Sequence, residues 1–229
     1  MKRVLVLGGT GFLGRHVCAA LQRAGVSVTV LTRRWAHARP IRHMPLVHVI
    51  EDDVHSPQAL AKHLPGHDAV INLIAVLHGN EARFEHVHVK LPTRLIDAMV
   101  STGVKRLIHV SALGASLQAP SRYQRSKAQG EQVLVSGAQA HGLQLTLIRP
   151  SVIFGLDDRF INLFARLQAF APLVPLARPT KPWGLTSSRW PIWFEWRDAG
   201  RVIRAGYCPC PCPWPGCKPW PWSACLASP

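Results

Sequence analysis

Short runs of Val, Ile and Leu alternate along the first three-quarters of the chain with longer stretches in which apolar residues recur every three or four positions. The runs predict strands over 3–7, 27–32, 46–50, 69–74, 106–110 and 144–148. They are apolar with little alternation, as strands buried on both faces are. The longer stretches predict helices over 12–24, 57–63, 84–102, 123–141 and 159–170. Val17, Leu21 and Ala24 can face one side of the first helix. Gly25, Gly103 and Gly142 stand just past helical stretches, where a left-handed cap residue is favoured. Regular strand–helix alternation predicts an α/β, Rossmann-type doubly wound parallel sheet with helices on both faces.

The first strand runs into Gly8-Gly-Thr-Gly-Phe-Leu-Gly14 and then a helix. Gly8, Gly11 and Gly14 fall three apart, the phosphate-cradling pattern of a dinucleotide-binding βαβ unit. One glycine permits the turn, the next lets backbone approach a pyrophosphate, and the third lets helix and strand pack closely. The helix start offers free N–H groups and a positive dipole end. The second strand ends Val30-Leu31-Thr32-Arg33-Arg34 without an acid. Arg33 and Arg34 as a phosphate clamp favour NADP(H) over NAD(H); solvated surface arginines are the alternative. Asp53, beside Val54 after the third strand, is placed to reach an adenine amino group. Asn72, Ile74 and Ala75, ending the fourth strand, would lie beside the pyrophosphate, unless this is an ordinary strand end. Tyr123 and Lys127 share a helix face at i, i+4. The spacing predicts that the ammonium lowers the phenol pKa toward acid–base range, with Lys127 also holding ribose hydroxyls. Such a pair is also common by chance.

Composition changes near residue 177. Seven of eight Trp, five of six Cys and ten of nineteen Pro lie between Arg178 and Pro229. Residues 1–177 therefore read as the NAD(P)-binding domain, and 178–229 as an irregular Pro/Trp/Cys-rich tail in place of a complete substrate lobe. Proline alternates with cysteine from Cys208 to Pro213, which fits neither a helix nor a central strand. Cys208, Cys210, Cys212, Cys217 and Cys225 form no C-x-x-C pair, against a zinc knuckle. A reducing compartment argues against a disulfide staple. The tail is expected to be in part an out-of-register product; an interaction tail and a metal-binding tail are the alternatives.

The net charge of +15 is scattered, with no basic helix and no aromatic stacking platform before the tail, so nucleic acid is disfavoured. A phosphate-rich cofactor or a membrane-associated acidic surface suits the charge as well. No apolar run is long enough to cross a bilayer. The glycine-broken N-terminus reads as a strand rather than a signal peptide, giving a cytoplasmic location, with the inner membrane face as a peripheral one. The histidines form no metal pattern.

Gly8–Gly14, His109-Val-Ser111, Tyr123-x-x-x-Lys127 and Ile148-Arg-Pro-Ser-x-Ile-Phe-Gly155 together resemble an extended or atypical short-chain dehydrogenase/reductase of the NAD-dependent epimerase/dehydratase kind. The run from Arg149 to Asn162, with Phe154-Gly-x-x-Asp158-Arg-Phe160, resembles the NAD(P)H-binding accessory subunit of respiratory complex I, the alpha subcomplex subunit nine family, and its bacterial relatives. The resemblance covers about residues 1 to 177. It implies a cofactor set that adds Thr10, Phe12, Leu13, Val110 and Pro150 to the residues above, and a catalytic set of Tyr123, Lys127 and Ser111.

Active members of such families carry a Ser or Thr that orients the substrate oxygen. Here Ala112 and Leu113 stand where it is expected, and Ser111 either sits too deep or satisfies backbone groups. His88 takes the place of a frequent Asn. The resemblance thus implies a largely non-catalytic, NADPH-holding subunit or assembly factor of a respiratory NADH:quinone oxidoreductase, partnered by its subunits. One alternative is an NADP-dependent reductase or epimerase using Tyr123 and Lys127 on a carbonyl or sugar nucleotide. Another is an NADP-binding redox-sensing regulator.

Overall fold

A computed structural model describes residues 2–153, 155, 192–198 and 201–207. Strand β1 (Arg3–Leu7) lies in the middle of the sheet, and its side chains divide the core. Leu5 and Leu7 point to one face, Val4 and Val6 to the other. The other strands are β2 (Ser27–Thr32), β3 (Val47–Glu51), β4 (Ala69–Asn72), β5 (Arg106–Val110), β6 (Gln144–Arg149), β7 (Ile192–Asp198) and β8 (Arg201–Tyr207). Their order is β3-β2-β1-β4-β5-β6-β7-β8. The first six are parallel and doubly wound, as the alternation predicts. β7 pairs antiparallel with β6, and β8 with β7.

Helices α1 (Phe12–Arg23), α2 (Pro57–His63), α3 (Glu81–Glu85), α4 (Leu91–Thr102) and α5 (Arg122–His141) flank the sheet. On one face Leu60, Leu64, Leu91, Leu95, Met99 and Leu134 from α2, α4 and α5 pack on Leu5, Leu7, Val70 and Leu107. On the other, Cys18, Val17 and Leu21 of α1 pack on Val4, Val6, Val28 and Val30. Ala24 is not part of that face; it is the exposed C-cap of α1. Gly25, Gly103 and Gly142 all have positive φ, as expected of residues that end helices.

Three elements differ from the expected pattern for local reasons. The fourth strand stops at Asn72 because the Asn72 side chain accepts the Ile74 N–H at 3.1 Å and turns the chain. The helix expected over 84–102 begins at Glu81, capped by Asn80, and a π-helical turn, His86–Lys90, separates α3 from α4. Pro92 has no N–H for the carbonyl of His88, four residues back, so the regular ladder lapses there. Gly130 of α5 packs on that carbonyl so closely that a Cβ would lie 2.0 Å from it. Finally, β7 and β8 lie inside the stretch expected to be an irregular tail. Residues 192–207 contain no proline and are rich in Ile, Trp, Phe and Val, which suits them to extend a sheet. The helix expected over 159–170, the Phe154 and Asp158–Asn162 part of the motif and the five late cysteines lie outside the described residues.

Candidate functional site

Every residue expected to touch a cofactor lies at or beyond the carboxyl ends of β1 to β6, around the switch point where β1 has β2 on one side and β4 on the other. Gly8, at φ +83°, turns the chain off β1, and its carbonyl accepts the Gly11 N–H at 3.1 Å. A Cβ on Gly14 would lie 2.2 Å from the Gly8 carbonyl oxygen, so this glycine brings helix and loop together as expected. Gly9, which spacing did not single out, is as constrained: its Cβ would meet Val30 of β2 at 2.7 Å. A Cβ on Gly11 would meet only the Gly8 oxygen, at 3.3 Å, and otherwise open space. The start of α1 has no side-chain cap and no acid in its first turn, leaving N–H donors for an anion. Thr10, Phe12 and Leu13 complete this loop and are half-buried.

Arg33 and Arg34 are exposed, just past β2. Of the two acids after β3, Asp52 is engaged by His63 (2.9 Å), whose hydrogen bond holds its carboxyl below the usual range. Asp53 is exposed and accepts the His55 N–H at 3.1 Å, with Val54 buried beside it. The His55 ring stacks on His86 at 4.4 Å, and Arg94 donates to the His55 carbonyl at 2.8 Å. Burial lowers the His55 pKa, helped by the neighbouring His86, Arg33 and Arg94 and opposed by Asp53. At the end of β4, Ile74 packs against Gly8 and Ala75 is exposed. The Nδ2 of buried Asn72 has no hydrogen-bond partner.

Ser111 does not satisfy backbone groups: its buried hydroxyl has no partner, although its N–H donates to the Ile148 carbonyl at 2.7 Å. Leu113 N–H donates to the carbonyl of buried Pro150 at 2.9 Å, tying the loop after β5 to the chain after β6. Lys127 is only 1% exposed; its ammonium donates to the Val110 carbonyl at 2.8 Å and lies 3.5 Å from His109 Nε2. Burial lowers its pKa to about 8. The expected lowering of the Tyr123 pKa does not occur. Burial raises it, and the lysine ammonium is directed to the strand carbonyl.

His88 links the two halves of this region. Val76 N–H donates to its Nε2 (3.1 Å), so the proton sits on Nδ1, which donates to Ser126 Oγ (2.8 Å). Ser126 in turn donates to the Tyr123 carbonyl (2.9 Å), and the His88 ring meets the Tyr123 ring edge-on at 5.7 Å. Burial, then the Lys127 charge, lowers the His88 pKa to about 3, so the ring is neutral. Below Lys127 on the same helix face, buried Glu131 receives a bidentate pair from Arg149 at the end of β6. Its position one turn after Lys127 was the available sequence signal. Among the described residues no three His, Cys, Asp or Glu side chains converge on a metal site.

A doubly wound sheet with a glycine cradle at its switch point and a Tyr–Lys helix beside it defines a dinucleotide-binding protein of the short-chain dehydrogenase/reductase type. The model of the NAD dependent epimerase/dehydratase family matches residues 4–184, and the chain belongs to that family. It is 37% identical over 182 residues to the mitochondrial NADH dehydrogenase [ubiquinone] 1 alpha subcomplex subunit 9 of Mus musculus, covering 76% of this chain and 47% of that protein. It is 31% identical over 179 residues to the ceramide reductase of Caulobacter vibrioides, covering 77% and 54%. The chain thus spans about half the length of the curated relatives it matches. Its fold is that of the UDP-glucose 4-epimerase of Thermotoga maritima solved with UDP-glucose, at TM-score 0.61 and 21% identity over 69% of this chain and 59% of that one.

Proposed function

We propose that the chain holds NADP(H) in preference to NAD(H), largely without turnover, as a subunit or assembly factor of a respiratory NADH:quinone oxidoreductase. The observation that carries the nucleotide reading is the cradle. Gly8, Gly9 and Gly14 are locked against protein, whereas Gly11 faces open space in front of uncapped helix N–H groups. Thr10, Phe12 and Leu13 flank the pyrophosphate, with Asn72 Nδ2 as a donor lacking a partner and Ile74 and Ala75 beside it. Asp53 and Val54 take the adenine, and Arg33 and Arg34 the additional phosphate. Val110 and Pro150 line the nicotinamide end with Tyr123 and Lys127. A bound nicotinamide would supply a hydride there.

Three features support holding over turnover: Ala112 and Leu113 stand where a substrate-orienting hydroxyl is expected, Lys127 is committed to Val110, and burial keeps the Tyr123 phenol protonated. The likeness to the mouse mitochondrial subunit supports the respiratory assignment. Native mass spectrometry of the purified protein tests it. NADPH that survives purification and resists oxidation by added carbonyls and quinones is the expected result. Tighter NAD than NADP binding would remove the assignment of Arg33 and Arg34.

One observation favours a second reading, an NADP-dependent reductase: the buried Ser111 hydroxyl has no partner and so remains available to a substrate oxygen. The likeness to a ceramide reductase points the same way. Steady oxidation of NADPH by a carbonyl substrate, lost in both Tyr123→Phe and Ser111→Ala, would establish it.

A further inference from the structure

The connection between β2 and β3 is the least ordinary surface of the described fold. From residue 33 to residue 45 the chain carries four arginines (33, 34, 39 and 42), two histidines and one tryptophan, with no Asp or Glu. It contains a single 3₁₀ turn, Trp35–Ala38, in place of a crossover helix. The segment is nonetheless fixed. Ala38 and Ile41 are fully buried, and Ile41 and Met44 pack into the core beside α1. Backbone bonds from Arg42 N–H to the Ala38 carbonyl (2.9 Å) and from Val47 N–H to the Met44 carbonyl (3.1 Å) hold its shape.

The buried residues force the others outward. Arg34, His37, Arg39, Arg42 and His43 are all exposed, and Trp35 stands 48% exposed among them. One carboxylate touches the patch: Glu51 accepts the Trp35 backbone N–H at 3.2 Å. Among the described residues no ion pair neutralises these arginines. A large indole left in water costs free energy unless it is covered, and a ring with one polar edge suits the interface between lipid headgroups and water. Arginines around it suit the negative potential of anionic lipid. A nucleic acid would favour several aromatic rings interleaved with the cations, and here there is one.

We propose that the β2–β3 connection is a docking surface for an anionic lipid bilayer, with Trp35 seated among the headgroups and Arg39 and Arg42 facing their phosphates. Charge complementarity carries the assignment, and it rests on Arg39 and Arg42, which lie beyond the Arg33–Arg34 pair assigned to the nucleotide phosphate.

The test is co-sedimentation of the full chain with vesicles of phosphatidylcholine alone and of phosphatidylcholine mixed with phosphatidylglycerol. Binding is expected only to the mixed vesicles, and it should weaken with added salt. Each arginine near such a surface is worth about fivefold in partition, so Arg39→Ala with Arg42→Ala should lower binding about 25-fold. The paired lysine substitutions, Arg39→Lys with Arg42→Lys, should retain it. Removing equal charge elsewhere, by Lys105→Ala with Arg106→Ala, should change binding less than twofold. Brominated lipid should quench the fluorescence of the native protein more than that of Trp35→Phe. Equal losses from both alanine pairs, equal binding to neutral vesicles, unchanged quenching in Trp35→Phe, or tighter binding of a single-stranded oligonucleotide than of mixed vesicles would each overturn the proposal.

Discussion

Replacing His88 with glutamine should remove a defined part of the acid sensitivity of the fold. The neutral ring accepts from Val76, donates to Ser126 and lies against Phe84 and Tyr123; burial, then the Lys127 charge, lowers its pKa from 6.5 to about 3. In the unfolded chain the imidazole takes a proton near pH 6.5, whereas in the folded protein it does not until about pH 3. Stability from this residue is therefore complete above pH 6.5 and is lost as the pH falls toward 3. Each unit of separation between the two states corresponds to about 1.4 kcal/mol. Between pH 7.5 and 5.0 the loss comes to about 2 kcal/mol. Urea unfolding followed by circular dichroism at both pH values, in the native protein and in His88→Gln, measures it. Glutamine lowers stability at both pH values by disturbing the Val76 and Ser126 bonds, but it does not titrate. The difference between the two pH values should thus be about 2 kcal/mol smaller in the variant. His67 and His55, whose pKa values are also lowered by burial, act alike in both proteins. His109, whose pKa is lowered chiefly by burial and then by Lys127, stays neutral when the smaller His88 contribution is removed. An identical pH dependence in the two proteins would refute the neutral, buried assignment of His88.

The two glycines of the loop should separate fold from ligand. Gly14→Ala, with its Cβ 2.2 Å from the Gly8 oxygen, should lower the thermal midpoint markedly, whereas Gly11→Ala should leave it nearly unchanged and weaken NADPH binding at least about tenfold in calorimetry. Arg33→Ala with Arg34→Ala should weaken NADP(H) about 10- to 100-fold and NAD(H) little, so an equal loss for both would detach these arginines from the additional phosphate. The buried ammonium of Lys127 opposes folding at neutral pH. Stability should rise by about 2 kcal/mol between pH 7 and 9.5 as it deprotonates near 8 rather than 10.5, and Lys127→Met should flatten that rise in unfolding titrations.

The strands of the parallel sheet were legible because a strand buried on both faces can be little else than a short apolar run. β1, β2 and β5 match their expected bounds for that reason. Boundaries set by side chains were less legible. Asn72 ends β4 two residues early through a bond that depends on how the loop folds back. The break at His86–Lys90 had a visible cause in Pro92, but the glycine that lets α5 settle on the freed carbonyl is far away in sequence. The site was legible as a list of residues and less so as electrostatics. Spacing put Tyr123 and Lys127 on one face, but it cannot say which acceptor the ammonium reaches, and here a strand carbonyl takes it. His88 was readable only as a substitution for a family Asn, because its partners Val76 and Ser126 come from other elements.

The central place of β1 has a consequence for synthesis. β1, β2 and β3 all lie before residue 52, and once they have left the ribosome they can already pair in their final parallel order. The opposite side of β1 has no partner until residues 69–72 emerge, and α4 and α5, which cover the leucine face, come later still. During that interval the nascent chain presents an uncovered strand and a row of leucines, the combination most prone to mispairing with a neighbouring copy. Closure of that side by β4 is thus the step at which a growing polypeptide becomes safe from its neighbours.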